Sequence, residues 1–198
     1  VWDAGKRIHR FRVVVGTRKD SVGRRDGTRI YKHATPELSA VMERIVFNPS
    51  WHVPKNIYEN ELKEKFQADG DYMGSKRYRY VKSSSGKARV TQEPGPWNAL
   101  GKVKFLFPNR HAVYLHDTPK KKLFKYPIRA FSHGCMRVQG ALDLAQLLLE
   151  LDGQWKDTLP DGRRTRTVRL KQPVKVYAEY YLVRIGDDGR AYFNADIY

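Results

Sequence analysis

The chain carries one cysteine in 198 residues. With no second thiol it can form no internal disulfide. With no second cysteine and no His-x3-His pair, a structural zinc site is poorly supported. There is no stretch of about 18 apolar residues, so nothing reads as a membrane-spanning helix. No signal peptide is visible. Acidic residues are scarce: 21 Asp and Glu stand against 38 Lys and Arg, a net charge of +17. That balance implies an anionic partner or surface. Nucleic acid is nonetheless not expected. The cations run from Lys6 to Arg190 instead of gathering on one helix, and no helix-turn-helix, zinc-finger or RNA-binding pattern appears. Lys120-Lys121-Lys122 and Arg163-Arg164 read as solvated faces, or as a general attraction to anionic polymer or lipid head groups.

What is present gathers around the lone thiol. Cys135 sits in Ser132-His133-Gly134-Cys135-Met136-Arg137, and His116 lies nineteen residues upstream. A thiol attacks as the thiolate, so it needs a neighbour that takes or balances its proton. Two histidines, a glycine before the thiol and an arginine after it supply base, backbone room and positive charge. A lone cysteine is often a small buried hydrophobe. Ser-His-Gly-Cys, however, surrounds it with small and polar residues and makes a poor core. The chemistry that fits is acyl transfer through a cysteine nucleophile.

A chain of this length is one domain, or one domain with an inserted lobe. Strand patterns dominate it. Residues 8–15 read as a strand. Over residues 41–47 Val41, Ile45 and Phe47 fall on one side and Met42, Arg44 and Val46 on the other. Val103, Phe105 and Phe107 alternate with Lys102, Lys104 and Leu106. Pro108-Asn109-Arg110 then turns the chain into 112–116, a hairpin that puts Tyr114 and His116 on one face. Helices are predicted over 54–66, with Tyr58, Leu62 and Phe66 in register, and over 141–151, with Leu144, Leu148 and Leu151 as a stripe and Gly153 as the stop. Strands follow near 167–170, 174–185 and 190–197, the last two joined by Gly186-Asp187-Asp188-Gly189. Ser83-Ser84-Ser85-Gly86 reads as a flexible loop. Residues 54–97 are polar and Tyr-rich, break the strand rhythm and end on Pro94-Gly95-Pro96. They read as an inserted lid.

His116, fifteen residues, then Ser132-His133-Gly134-Cys135-Met136-Arg137 resembles the signature of the L,D-transpeptidases, bacterial cell-wall enzymes with a catalytic cysteine. Phe47-Asn48-Pro49-Ser50-Trp51-His52-Val53-Pro54, Pro94-Gly95-Pro96-Trp97-Asn98-Ala99-Leu100-Gly101, Lys104-Phe105-Leu106-Phe107-Pro108-Asn109 and Tyr114-Leu115-His116-Asp117-Thr118-Pro119 resemble the larger Gram-negative type. The likeness covers most of residues 8–198. It implies a single, mainly β, sandwich-like catalytic domain over 1–198, with a helix beside the catalytic loop and the lid inserted at 54–97. It implies no cofactor and no metal. Because the chain opens on Val1 in mid-pattern, an excised or processed domain whose export signal is gone is expected, acting in the periplasm or cell envelope.

The roles follow. Cys135 is the expected nucleophile. His116, aimed from a strand end, is the expected base, a role that the resemblance also implies, with the backbone carbonyl of Asp117 orienting its ring. His133, two residues before the thiol in what reads as extended chain, shares its side and is a candidate for a direct role or for a structural hydrogen bond. The N–H groups of Gly134 and Cys135 are the oxyanion candidates. Arg137 is a candidate for binding a substrate carboxylate or bracing the site. Ser132, Asp117, Tyr114, Trp97 and Asn98, with Trp51, are further candidates around the substrate. The resemblance implies peptidoglycan stem peptides as donor and acceptor, a 3→3 cross-link made through a thioester with loss of D-Ala, and acylation by carbapenems. The same chemistry with water or a protein Lys as acceptor stays open, as does a non-catalytic basic module that binds wall polymer or nucleic acid.

Overall fold

The structure is a computed structural model and describes the chain apart from residues 20, 26–27, 83–87, 159–163, 187, 195 and 198. The domain is mainly β, as expected. Its centre is a seven-stranded mixed sheet in the order Ala130–Ser132, Val13–Gly16, Met136–Val138, Leu115–His116, Val103–Leu106, Leu38–Phe47, Arg166–Ala178. Two pairings are parallel: Ala130–Ser132 with Val13–Gly16, and Leu115–His116 with Met136–Val138. The rest are antiparallel. No helix among the described residues is long and apolar enough to cross a membrane.

Alternation gives this sheet two faces. Ile45, Phe47, Val103, Phe105, Met136 and Val138 turn to one side. There they meet Ala141, Leu144, Ala145, Leu148 and Leu149 of the Ala141–Leu151 helix in the main core. The helix runs over the predicted residues, but its stripe differs. Leu151 is 45% exposed, and Ala145 and Leu149 take the buried positions. The helix therefore packs on an i, i+3, i+4 band wider than a line of leucines.

The Leu38–Phe47 strand also corrects the expected phase. Met42 is buried and Val41 is exposed, although Ile45 and Phe47 are buried as expected. Leu38, Ala40 and Met42 face the core, then the phase changes before Ile45. The change lies where the partner strand shifts register between Arg169 and Val174. That irregularity contains Pro173, which has no N–H for the ladder. Its free N–H groups at Lys171 and Gln172 donate instead to the Asp152 carboxylate, at 3.0 and 2.7 Å.

The predicted hairpin forms, with Lys104 opposite His116 and Phe105 opposite Leu115. Asn109 closes it by donating to the carbonyls of Phe107 and Val113, at 2.7 and 2.8 Å. The first strand is shorter than expected and covers only Val13–Gly16. At the other end Arg166–Ala178 runs as one strand, and Val183–Ile185 pairs with Ala191–Phe193 across the expected turn.

Residues 51–97 build a second, smaller unit. Trp51–His52, Ala88–Gln92 and Tyr78–Lys82 form a three-stranded sheet. Lys55–Ala68 is helical, but a π-helical turn occupies Tyr58–Leu62. Partly buried tyrosines pack together in this unit. Phe66 packs on Tyr58 and Tyr78, with ring centroids 6.1 and 5.3 Å apart, and Tyr72 stacks on Tyr78. The expected Ser83-Ser84-Ser85-Gly86 loop lies outside the described residues.

Candidate active site

Two short strands bring the candidate residues together. His116 is paired with Lys104 on one side and with Arg137 on the other. Residues paired directly across strands point to the same face, so Lys104, His116 and Arg137 form one row. Tyr114 stands one pleat back on that face, its ring 5.7 Å from that of His116. Tyr114 accepts the Met136 N–H at 3.1 Å, which carries the pairing back toward Cys135. The backbone and hydroxyl of Tyr114 lie toward the sulfur and favour its thiolate form, and Trp51 lies beside the same hydroxyl.

His116 is buried, with Nδ1 2.5 Å from the Asp117 carbonyl oxygen. A carbonyl only accepts, so Nδ1 carries the proton and Nε2 keeps the lone pair. Burial, then the Arg137 charge, pushes the imidazole down to about 4. Burial pushes the Cys135 thiol up, and the Tyr114 hydrogen bonds and Arg137 charge act against it. Both shifts favour neutral groups. The thiol, at the entry to one strand, and the imidazole, on the next, are both favoured in their neutral forms.

The thiol loop is held by hydroxyls. Ser132 Oγ donates to the Cys135 carbonyl at 2.6 Å and accepts the Gly134 N–H at 3.1 Å. Thr35 Oγ1 donates to the Gly134 carbonyl at 2.9 Å and accepts the Gly16 N–H at 2.9 Å. Gly134 has φ +108, while a Cβ there would meet nothing closer than 3.6 Å. Backbone conformation, not space, requires the glycine. Of the two expected oxyanion donors, the Gly134 N–H is engaged by Ser132 within the loop.

His133 is also placed otherwise than the extended reading implied. The chain bends at residues 133–135. His133 Nε2 lies 2.5 Å from Glu61 Oε1 on the π-helical turn, and its ring meets His33 edge-on at 4.7 Å. An open cleft of about 410 Å³ lies there, lined by Lys32, His33, Asn56, Ile57, Asn60, Glu61 and His133. Neither Cys135 nor His116 lines it.

Three further candidates turn inward. Asn98 is fully buried, and its amide donates to the carbonyls of Pro49, Gln92 and Glu93 while its oxygen accepts the Leu100 N–H. It has no atom left for a substrate. The Asp117 carboxylate accepts the Lys102 N–H at 2.9 Å and the Lys121 ammonium. It fills the place a Cβ on Gly101 would occupy. Its carbonyl orients His116, as the resemblance implied. Trp97 packs on Gly95 and lies beneath Arg77, 5.5 Å from the guanidinium. The sequence reading missed Thr35, Glu61 and Lys104. Lys104 alone left a signal, since it shares the hairpin's alternation with His116.

Residues 1–177 match the YkuD family, described as the L,D-transpeptidase catalytic domain. A Haemophilus influenzae protein named "Putative L,D-transpeptidase" is 30% identical over 214 residues, covering 98% of this chain. The chain spans 40% of that relative's length. With a family match over most of its length, this chain belongs to the L,D-transpeptidase catalytic domain family.

Proposed function

We propose that this domain forms 3→3 cross-links between peptidoglycan stem peptides in the cell envelope. The observation that carries the reading is the placement of the two reactive groups: an imidazole whose tautomer is fixed by the Asp117 carbonyl, on the strand beside the one that Cys135 leads into. The donor is a tetrapeptide stem. As Cys135 Sγ attacks the carbonyl of the third residue, its proton passes to His116 Nε2, so sulfur becomes nucleophilic only on attack. The Cys135 N–H and the Tyr114 hydroxyl face the oxygen that takes up charge. The C–N bond to D-Ala then breaks, His116 returns the proton to the departing amine, and a thioester remains. The side-chain amine of a second stem attacks the thioester and gives a proton to His116. The C–S bond breaks, and the proton returns to sulfur. Carbapenems, whose strained amide opens at the same carbonyl, acylate the thiol in the first half of this sequence.

Residues 54–97 act as the lid. Glu61 reaches from the lid to His133, and Trp51, just ahead of it, lies beside Tyr114, so its position is coupled to the thiol loop. A lid excludes water from the thioester and favours the amine acceptor. Intact-mass spectrometry with a tetrapeptide stem tests the reading. The expected result is an adduct equal to the stem minus D-Ala on Cys135, followed by dimeric muropeptides. Hydrolysed stem without dimer would make the domain a carboxypeptidase instead.

A further inference from the structure

Lys104 is not used by the chemistry above, yet it occupies a costly position. Its strand partner is His116, and its ammonium lies 5.9 Å from the centroid of the Tyr114 ring. It is half-buried, and burial pulls its affinity for the proton down. No carboxylate among the described residues pairs with it. Arg137, the charged residue across His116 from it, is another cation. A desolvated ammonium without a counter-charge is retained at a stability cost unless an anion arrives to meet it.

We infer that Lys104 is a specificity-determining residue that binds the C-terminal carboxylate of the donor peptide. The inference rests on the proposed reaction and follows from the order of the strands. Cys135 leads into the Met136–Val138 strand, His116 lies on the next, and Lys104 on the one after. Neighbouring strands are about 4.8 Å apart. His116 thus has the strand that Cys135 leads into on one side and Lys104 on the other. In the departing D-amino acid the carboxylate is one carbon beyond the nitrogen that His116 protonates. A nitrogen held at His116 with its acyl group toward the thiol therefore turns its carboxylate to the side where Lys104 stands. Arg137, which shares the field of Glu61, stands on the acyl side.

The test compares acylation of Cys135 by a tetrapeptide stem and by the same stem with a C-terminal amide, in wild type, Lys104→Met and Lys104→Arg. A charge-assisted hydrogen bond at a half-buried site is worth about 10- to 100-fold. Wild type is expected to prefer the carboxylate by that factor in kcat/KM. Lys104→Met should bring the ratio to within about threefold of one, and Lys104→Arg should restore most of it. A second probe does not depend on the reaction: the rate of thiol labelling by 3-maleimidopropionic acid against its amide, where Lys104→Met should remove the preference for the acid. A peptide that acylates wild type with a ratio unchanged by Lys104→Met overturns the inference and leaves the transpeptidase reading standing. Equal slowing of acid and amide probes overturns it too, since Lys104 would then act through His116. No acylation by any stem, with a Lys104-dependent acid preference in labelling, sinks the transpeptidase reading and keeps the anion site.

Discussion

The two faces of the central sheet occupy the same strands, one residue apart. In Val103–Leu106, Val103 and Phe105 are fully buried against the helix side, while Lys104 between them faces Tyr114 beside His116. In Met136–Val138 the outer two residues join the core and Arg137 faces the site. One face holds the backbone by dry packing. The other holds two partly desolvated cations, a buried imidazole and a thiol, none of which stabilises the fold by being there. Packing on the first face keeps the second in register, so a one-residue slip would exchange them. Substitutions should therefore separate the faces: on one they remove chemistry and spare stability, and on the other they do the reverse.

The largest effect is expected at Cys135. With no second thiol in the chain, Cys135→Ala should abolish turnover while the thermal midpoint stays within a few degrees of the parent. Dimeric muropeptides made by that protein would refute the mechanism. Next comes His116→Ala, expected to slow acylation by about 10²–10⁴-fold. His133→Ala should cost much less, because its ring is engaged by Glu61 and His33. Equal losses in stopped-flow acylation would reverse the roles of the two histidines.

The core face gives the opposite signature. Phe105→Ala removes a fully buried ring and should cost about 3–5 kcal/mol in denaturant unfolding. The folded fraction should still label at Cys135 at the parent rate. Between the two faces stands His116 itself, a site group whose burial costs stability as the medium turns acid. An unfolded histidine takes up its proton near 6.5, whereas the folded one waits until about 4. In that window the unfolded chain binds more protons, so stability falls as the pH drops from 6.5 to 4 and then levels off. The interval corresponds to roughly 3 kcal/mol. Unfolding of wild type and His116→Gln at pH 7 and pH 4.5 should show the acid loss shrinking in the variant. Parallel curves would mean that His116 protonates freely in the fold.

The same comparison explains what was legible in the sequence. Period-two alternation placed Tyr114 and His116 on one face because the hairpin around Asn109 is local. The Ala141–Leu151 helix was readable because its pattern spans several turns. Val41 was misplaced because a bulge on a strand more than a hundred residues away changes the phase, and nothing near Val41 records it. His133 was read as extended chain because the φ of Gly134 is a tertiary outcome held by Ser132 and Thr35. The row of Lys104, His116 and Arg137 needs the parallel pairing of Leu115–His116 with Met136–Val138. Alternation within either strand is silent about that register.

The smallest effect is expected where the sheet meets the lid. Glu61 and His133 make the lid's contact with the thiol loop, but their side chains are 40% and 35% exposed. An exposed pair of this kind is worth at most about 1 kcal/mol and weakens with salt. Glu61→Gln should therefore leave acylation by a tetrapeptide stem within about twofold, because Cys135, His116 and Tyr114 are untouched. It should instead loosen the lid over the thioester. One kcal/mol changes the closed population by about fivefold, so the ratio of dimer to hydrolysed stem should fall by no more than that. His133→Gln should do the same, and the double variant should add little to either, because both remove one contact. Replacing residues 54–97 by a short Gly/Ser linker is the limiting case: small β-lactams still acylate the thiol, but hydrolysis dominates. If the linker protein folds and keeps the parent's product ratio, the lid has no part in acceptor choice. If Glu61→Gln slows acylation as much as His116→Ala, then His133 takes part in the chemistry and the separation between sheet row and thiol loop fails.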